Sequence, residues 1–71
     1  MGCESSDEHD YNKGLSKTES RDFKTALIFF EQSILRKPNS NYAVLSAKEG
    51  ARIAFYELKD FSKAAEFLKH I

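Results

Sequence analysis

The chain has 71 residues, of which 41% are apolar and 31% are charged, and its 11 basic side chains balance 11 acidic ones. This composition is typical of one small globular domain, and zero net charge excludes a broad electrostatic attraction to nucleic acid or to an anionic membrane. The single cysteine excludes an internal disulfide and a zinc site made of thiolates, and no run of about 18 apolar residues would span a bilayer. Since the core of such a short chain supplies only about 3–5 kcal/mol, we expect it to associate with itself or with a longer assembly.

The first ten residues carry four acidic side chains and no basic ones, and they show no apolar period. We therefore predict a flexible acidic leader over residues 1–10 and a folded domain over residues 11–71.

The leader also contains two candidate lipidation residues, Gly2 and Cys3. Gly2 and Ser6 satisfy the requirements for N-myristoylation, with Cys3 as a second, palmitoylated position. Alternatively, Cys3 is the first residue of a mature bacterial lipoprotein, or simply an exposed thiol. The leader lacks the basic residues that help an acylated cytoplasmic anchor, so of the two lipid hypotheses we favour the lipoprotein. That hypothesis places the domain on the periplasmic side of a membrane, and myristoylation places it in the cytoplasm.

Beyond the leader the apolar pattern predicts four helices. Between Tyr11 and Ser20 only Tyr11 and Leu15 are strongly apolar, so the first helix is expected to be short and held by packing. A second helix is predicted from about 23 to 36, with Asp22 as its N-cap and Pro38 beyond its end. Its apolar stripe steps by three and four residues and consists of Phe23, Ala26, Leu27, Phe30, Ser33 and Ile34.

A third helix is predicted from about 41 to 58, after the capping residues Asn39, Ser40 and Asn41. Gly50 within it favours close packing of a neighbouring helix, because glycine otherwise weakens a helix. The main stripe of this helix is Val44, Ala47, Ala51, Phe55 and Leu58. Asp60 then caps a fourth helix, whose stripe is Phe61, Ala64, Ala65, Leu68 and Ile71.

Two segments of the chain repeat each other. Residues 22–27 match residues 60–65 at an offset of 38, and a helical pair that recurs at 20–50 residues is typical of a solenoid. The pattern resembles the tetratricopeptide repeat, with small, aromatic and proline positions held by Gly14, Phe23, Ala26, Phe30 and Pro38. Asp10, Lys13 and Lys17 depart from the pattern, since the family has Trp, Leu and Tyr there.

The resemblance implies an all-α fold of antiparallel helix-turn-helix repeats in a superhelix of about four helices. Repeat one covers about residues 8–40 and repeat two about residues 41–71. The offset of 38 exceeds the family's period of 34 by four residues, which we assign to the third helix, because they amount to nearly one turn and keep its stripe in phase. An unrelated four-helix bundle is the alternative.

The resemblance also implies a scaffold that binds a peptide segment or a helix of another protein. Its concave face would present Glu8, Tyr11, Leu15 and Thr18 from the first helix and Glu49, Ile53, Tyr56 and Glu57 from the third. Of these, we predict as partner-binding residues Tyr11, Leu15, Glu49, Ile53, Tyr56 and Glu57. The alternative is that Tyr11, Leu15 and Ile53 pack internally. The basic clamp with which some members hold a C-terminal carboxylate is absent, since Tyr11 and Leu15 occupy its positions, so we do not expect chaperone tails as ligands.

The fourth helix suggests a second surface, because no polar cap helix follows its apolar stripe. We predict an assembly face made of Phe61, Ala65, Phe67, Leu68 and Ile71. The alternative function is therefore a structural block that self-associates into a homo-oligomer, with or without a lipid tether.

No residue pattern predicts catalysis. His9 and His70 lie at opposite ends of the sequence, and neither has a carboxylate pair at the spacing of a metal site. No nucleophile elbow and no glycine-rich phosphate loop is present. We expect no catalytic residue, no metal and no cofactor, and hence a chain that is not an enzyme. Its expected partner is a protein or peptide, without nucleic acid, and with membrane contact only through an N-terminal lipid.

Overall fold

The computed structural model describes the backbone of residues 6–70 and the side chains of residues 8–70. Over this range the chain is all-α, with four helices and no strand: α1 Ser6–Glu19, α2 Phe23–Arg36, α3 Asn41–Arg52 and α4 Phe61–Leu68. A π-helical turn, Ile53–Glu57, continues α3. Each helix packs on the next, and α3 also contacts α1. The predicted all-α fold of four helices is confirmed.

The first helix is longer than its apolar content predicts. It begins at Ser6 and has 14 residues, so residues 6–10, which the charge pattern assigned to the leader, are helical. Asp10 is only 4% exposed, and Arg36 Nε donates a hydrogen bond to its Oδ2 at 2.6 Å. This ion pair joins the first half of α1 to the last turn of α2, as antiparallel packing requires. Residues 1–5 lie outside the described part of the chain.

Both helical pairs bring their helices together by placing a phenylalanine ring on a glycine. A Cβ atom at Gly14 would lie 2.6 Å from the ring of Phe30, and one at Gly50 would lie 2.5 Å from the ring of Phe67. The absence of a side chain at each glycine is therefore required for this close approach. Phe67 therefore occupies the same structural position as Phe30 in the first pair, although the 38-residue alignment pairs Phe67 with Phe29.

The turns within the two pairs are also alike. Arg21 and Lys59, which lie 38 residues apart, both adopt left-handed backbone angles, with φ of 63° and 56°. An aspartate at the N-cap position follows in each case. The carboxylate of Asp60 accepts a hydrogen bond from Lys63 N at 3.1 Å, as predicted, whereas the side chain of Asp22 makes no capping bond.

The third helix changes its period where the sequence predicted a continuous α-helix to residue 58. Leu58 N donates to Ile53 O at 3.1 Å, which closes a wider, i→i+5 turn. This turn moves the following side chains out of phase with the α-helical stripe. Ile53 and Ala54, at the start of the turn, continue the buried stripe of α3 at α-helical spacing from Gly50, whereas Phe55, which the predicted stripe included, is exposed.

The core lies between α2 and the inner faces of the other helices. The contribution of α3 consists entirely of small residues, namely Ala43, Ser46, Ala47, Gly50 and Ala51. Large apolar residues come from the neighbouring elements, including Phe30 and Ile34 of α2 and Phe67 of α4. Small residues facing large ones allow the helix axes to approach closely.

Candidate protein-interaction surface

Four large apolar side chains form one exposed surface where the π-helical turn meets α4. We call it the aromatic face, and it consists of Phe55, Tyr56, Phe61 and Leu68. Tyr56 is 65% exposed, and Phe61 and Leu68 are each 57% exposed. Exposed apolar surfaces of this kind are characteristic of interaction sites.

The rings of the aromatic face are arranged by contacts with one another. The ring centroid of Phe55 lies 5.0 Å from that of Tyr56 and 5.1 Å from that of Phe61, both in edge-to-face geometry. Such contacts are favourable and restrict the rotation of each ring. The surface is therefore organised before any partner arrives, which lowers the entropy lost on binding.

A groove of about 360 Å³ runs beside these rings between α3 and α4. Its floor contains Ala51 and Ala64, and its rim on the α3 side carries Lys48 and Arg52. Arg52 Nη2 donates to Glu49 Oε1 at 2.5 Å, and this hydrogen bond, followed by the charge of the same carboxylate, raises the pKa of Arg52. Lys48 has no ion-pair partner among the described residues. The lining of this groove holds two cations and no carboxylate.

The predicted concave face is not assembled as one exposed groove. Ile53 is completely buried, so it belongs to the core and not to a partner-binding surface. Tyr11 and Leu15 are half-buried and pack against the core. The ring of Tyr11 lies 6.0 Å from that of Phe30 and 5.7 Å from that of Tyr42. These contacts match the alternative of internal packing.

The polar positions of that face have local roles. Burial, and to a smaller extent the charge of Glu49, raise the pKa of Tyr11, so Glu49 lies beside α1 as well as beside Arg52. The Thr18 hydroxyl donates to Gly14 O at 2.8 Å within its own helix. Glu8 is half-buried and Glu57 is exposed. Of the six predicted partner-binding residues, only Tyr56 and Glu57 are exposed, and the others are half-buried or buried.

The structure divides the residues of the predicted assembly face between the surface and the core. Phe61, Leu68 and Ala65 are exposed, but Phe67 is only 2% exposed because its ring packs on Gly50. Phe67 is therefore a core residue. Ile71, together with Gly2 and Cys3, lies outside the described residues.

The structure joins residues that the sequence assigned to two different surfaces. Tyr56, predicted for the concave face, lies with Phe61 and Leu68, predicted for assembly. Phe55 was missed as a surface residue because its spacing from Ala51 and Leu58 placed it on the predicted apolar stripe. The only signal in the sequence was the offset of 38 residues, which exceeds the family's period of 34. The π-helical turn accounts for part of this excess.

The two halves of the fold show why this surface is exposed. Phe30 and Leu27 of α2 are buried, at 0% and 5% exposure, in the core that α2 shares with α3. In α4, Phe67 takes the buried place that Phe30 has in α2, so Leu68 is exposed, and Ala65, which aligns with Leu27, is exposed as well. Among the described residues, no helix lies on α4 in the way that α3 lies on α2.

A second hollow of about 220 Å³ lies between α2 and α4. Two of its lining residues are acidic, Glu31 and Glu66, and Leu35 is exposed at its edge. Glu31 also pairs with Lys63 Nζ at 2.5 Å, which links α2 to α4. This hollow differs from the groove beside the aromatic face in its charge and in having no exposed aromatic ring.

Within residues 6–70, no helix has both the length and the apolar content to cross a membrane. No group of three or more His, Cys, Asp or Glu side chains in this range is placed to hold a metal ion. Comparison with models of known families, with curated proteins and with solved structures gave no match.

Proposed function

We propose that this chain is a helical-repeat interaction module that binds a helix or peptide segment of another protein through the aromatic face. The observation that carries the proposal is the exposure of Phe55, Tyr56, Phe61 and Leu68 as one preorganised surface. Aromatic side chains at the centre of an interface commonly supply most of its binding energy. The resemblance to tetratricopeptide repeats supports the same function.

The aromatic face is a better candidate than the concave side of the first and third helices. On the concave side, Ile53 is buried, and Tyr11 and Leu15 already pack against the core. A partner there would meet mainly half-buried side chains, whereas the aromatic face offers large side chains that make few contacts within the chain.

Self-assembly through the same face is the second candidate function. Exposed apolar side chains on α4 favour it, since they would be covered in a dimer. A head-to-tail array is disfavoured, however, because no large apolar side chain of α1 is exposed. Two aromatic faces that meet around a two-fold axis would cover these side chains in both copies.

Site-specific photo-cross-linking tests the proposal. A benzoylphenylalanine at position 56 is expected to form a covalent product with a different protein in cells that express the chain. The same group at position 13, an exposed site on α1, is the matched control and is expected to form none. A product from position 56 with the mass of two chains supports self-assembly instead. Equal products at both positions, or none at position 56, refute the proposal.

A further inference from the structure

We infer, on the basis of the proposed function, that the aromatic face takes an amphipathic α-helix with small residues on its contact stripe and carboxylates beside it. This helix lies on α3 and α4 much as α3 lies on α1 and α2. The inference specifies the shape, the side-chain size and the charge of the partner segment.

The shape of the partner follows from the internal repeat. The first helical pair is already covered by a helix, because α3 packs on both α1 and α2. In the 38-residue alignment the buried Leu27 corresponds to the exposed Ala65, whereas the place of Phe30 over a glycine is taken by the buried Phe67, which leaves the neighbouring Leu68 exposed. The turns and the glycine–phenylalanine contacts of the two pairs are also alike. A surface that repeats a helix-binding surface is suited to a helix.

The size of the partner's side chains follows from the same comparison. The stripe with which α3 enters the core contains only alanine, serine and glycine. The aromatic face, in turn, presents three rings and a leucine that project beside a groove floored by Ala51 and Ala64. Large side chains on one helix pack against small side chains on the facing helix, so that the two backbones approach without a void. Alanine and serine on the partner helix meet this requirement.

The charge of the partner follows from the rim. Lys48 and Arg52 lie four residues apart and therefore share one edge of α3. Neither is opposed by a carboxylate in the groove lining, although Glu49 pairs with Arg52 from outside it. Glutamates along one side of the partner helix would meet this edge and fix the direction in which the helix lies.

The same features disfavour a second copy as the occupant. In a two-fold interface each patch meets itself, so large rings would face large rings and not the small residues that let two helices approach closely. Lys48 and Arg52 would also find no carboxylate in the groove lining of the other copy. A partner of complementary size and charge avoids both conflicts.

Synthetic helices test the inference on the full chain. The probe is an 18-residue peptide, stapled on its outer side, with alanine and serine on the contact stripe and glutamates flanking it. One control peptide has lysines in place of the flanking glutamates, and a second has phenylalanines in place of the stripe. In fluorescence anisotropy, the probe is expected to bind at least tenfold more tightly than either control.

Variants of the chain make the test specific. Leu68→Glu is expected to weaken probe binding at least tenfold, while Leu35→Glu, an exposed leucine on another face, leaves binding unchanged. Lys48→Glu is expected to reverse the order of the glutamate and lysine peptides. Circular dichroism checks that each variant keeps its helices, since all three positions are exposed.

Three results would overturn the inference. The first is equal binding of the glutamate and lysine peptides, and the second is a preference that Lys48→Glu does not change. The third is a dimer in sedimentation equilibrium that Leu68→Glu dissociates and Leu35→Glu does not, because a second copy would then occupy the face. If no peptide binds but position 56 still cross-links to another protein, the inference fails and the proposed function stands.

Discussion

Replacing Gly50 with alanine should destabilise the fold, although alanine is the better helix former. In an exposed helix the change would add about 1 kcal/mol to the free energy of unfolding. Here the new Cβ atom would lie 2.5 Å from the ring of Phe67, which is buried and has little room to move. Overpacking of this kind costs about 1–3 kcal/mol. We expect a net loss of about 1–2 kcal/mol, which is a large share of the stability of a chain this short.

Urea denaturation followed by circular dichroism at 222 nm measures this loss. Ser16→Ala, at an exposed position within α1, reports the effect of helix propensity alone and is expected to be neutral or slightly stabilising. In a Phe67→Leu background the smaller side chain leaves room, so the cost of Gly50→Ala should disappear. If Gly50→Ala is as stable as the unaltered chain, or more stable, the close contact of the two helices is not as the structure shows it.

Further outcomes are expected at three other positions. Ser46→Ala should raise the free energy of unfolding by about 1 kcal/mol in the same assay, because the buried Ser46 hydroxyl has no hydrogen-bond partner among the described residues. A loss of stability would contradict this. Arg36→Met should lower the free energy of unfolding by about 1–2 kcal/mol, because it leaves the buried Asp10 carboxylate unpaired. Lys37→Met, at an exposed position, is the control and is expected to be neutral. Equal effects of the two changes would refute the role of the ion pair. The pKa of Tyr11 is raised above its ordinary value of 10.0, so the stability it contributes is present below that pH and is lost as the pH rises through the folded-state pKa. Unfolding measured from about pH 9 to pH 11 should therefore show a smaller decline in Tyr11→Phe than in the unaltered chain, and identical declines would contradict the assignment.

Local patterns in the sequence were sufficient to predict most of the helices. The second helix follows from five apolar residues and Ser33 at helical spacing, and its predicted span agrees with Phe23–Arg36. Ser40 and Asp60 cap the third and fourth helices with their side chains, as their residue types predict. The 22–27 and 60–65 match predicted two similar turns, and Arg21 and Lys59 indeed share the left-handed conformation. These features depend on residues close in sequence, which is why periodicity and capping rules identify them.

The candidate surface could not be predicted in the same way. Tyr56 and Leu68 were recognised as surface residues, but they were assigned to different faces because their proximity depends on how α4 folds back on α3. The packing of α3 against the other helices decides which of its faces is buried, and the buried face includes Gly50 and Ile53 and leaves Phe55 exposed. The change of helical period at Ile53–Glu57 also reflects tertiary packing, and no local pattern in these residues predicts it.

The sequence by itself thus determined that the chain is all-α, where most of its helices lie and that two helical pairs repeat. Only the tertiary structure decided which large side chains are covered. Asp10 is buried because Arg36 reaches it from another helix, and Phe67 is buried because Gly50 leaves room for its ring. Leu68 is exposed, although the alignment pairs it with the buried Phe30, because Phe67 fills the place over Gly50. Burial depends on what lies opposite a side chain, and that neighbour is set by the packing of helices distant in the sequence.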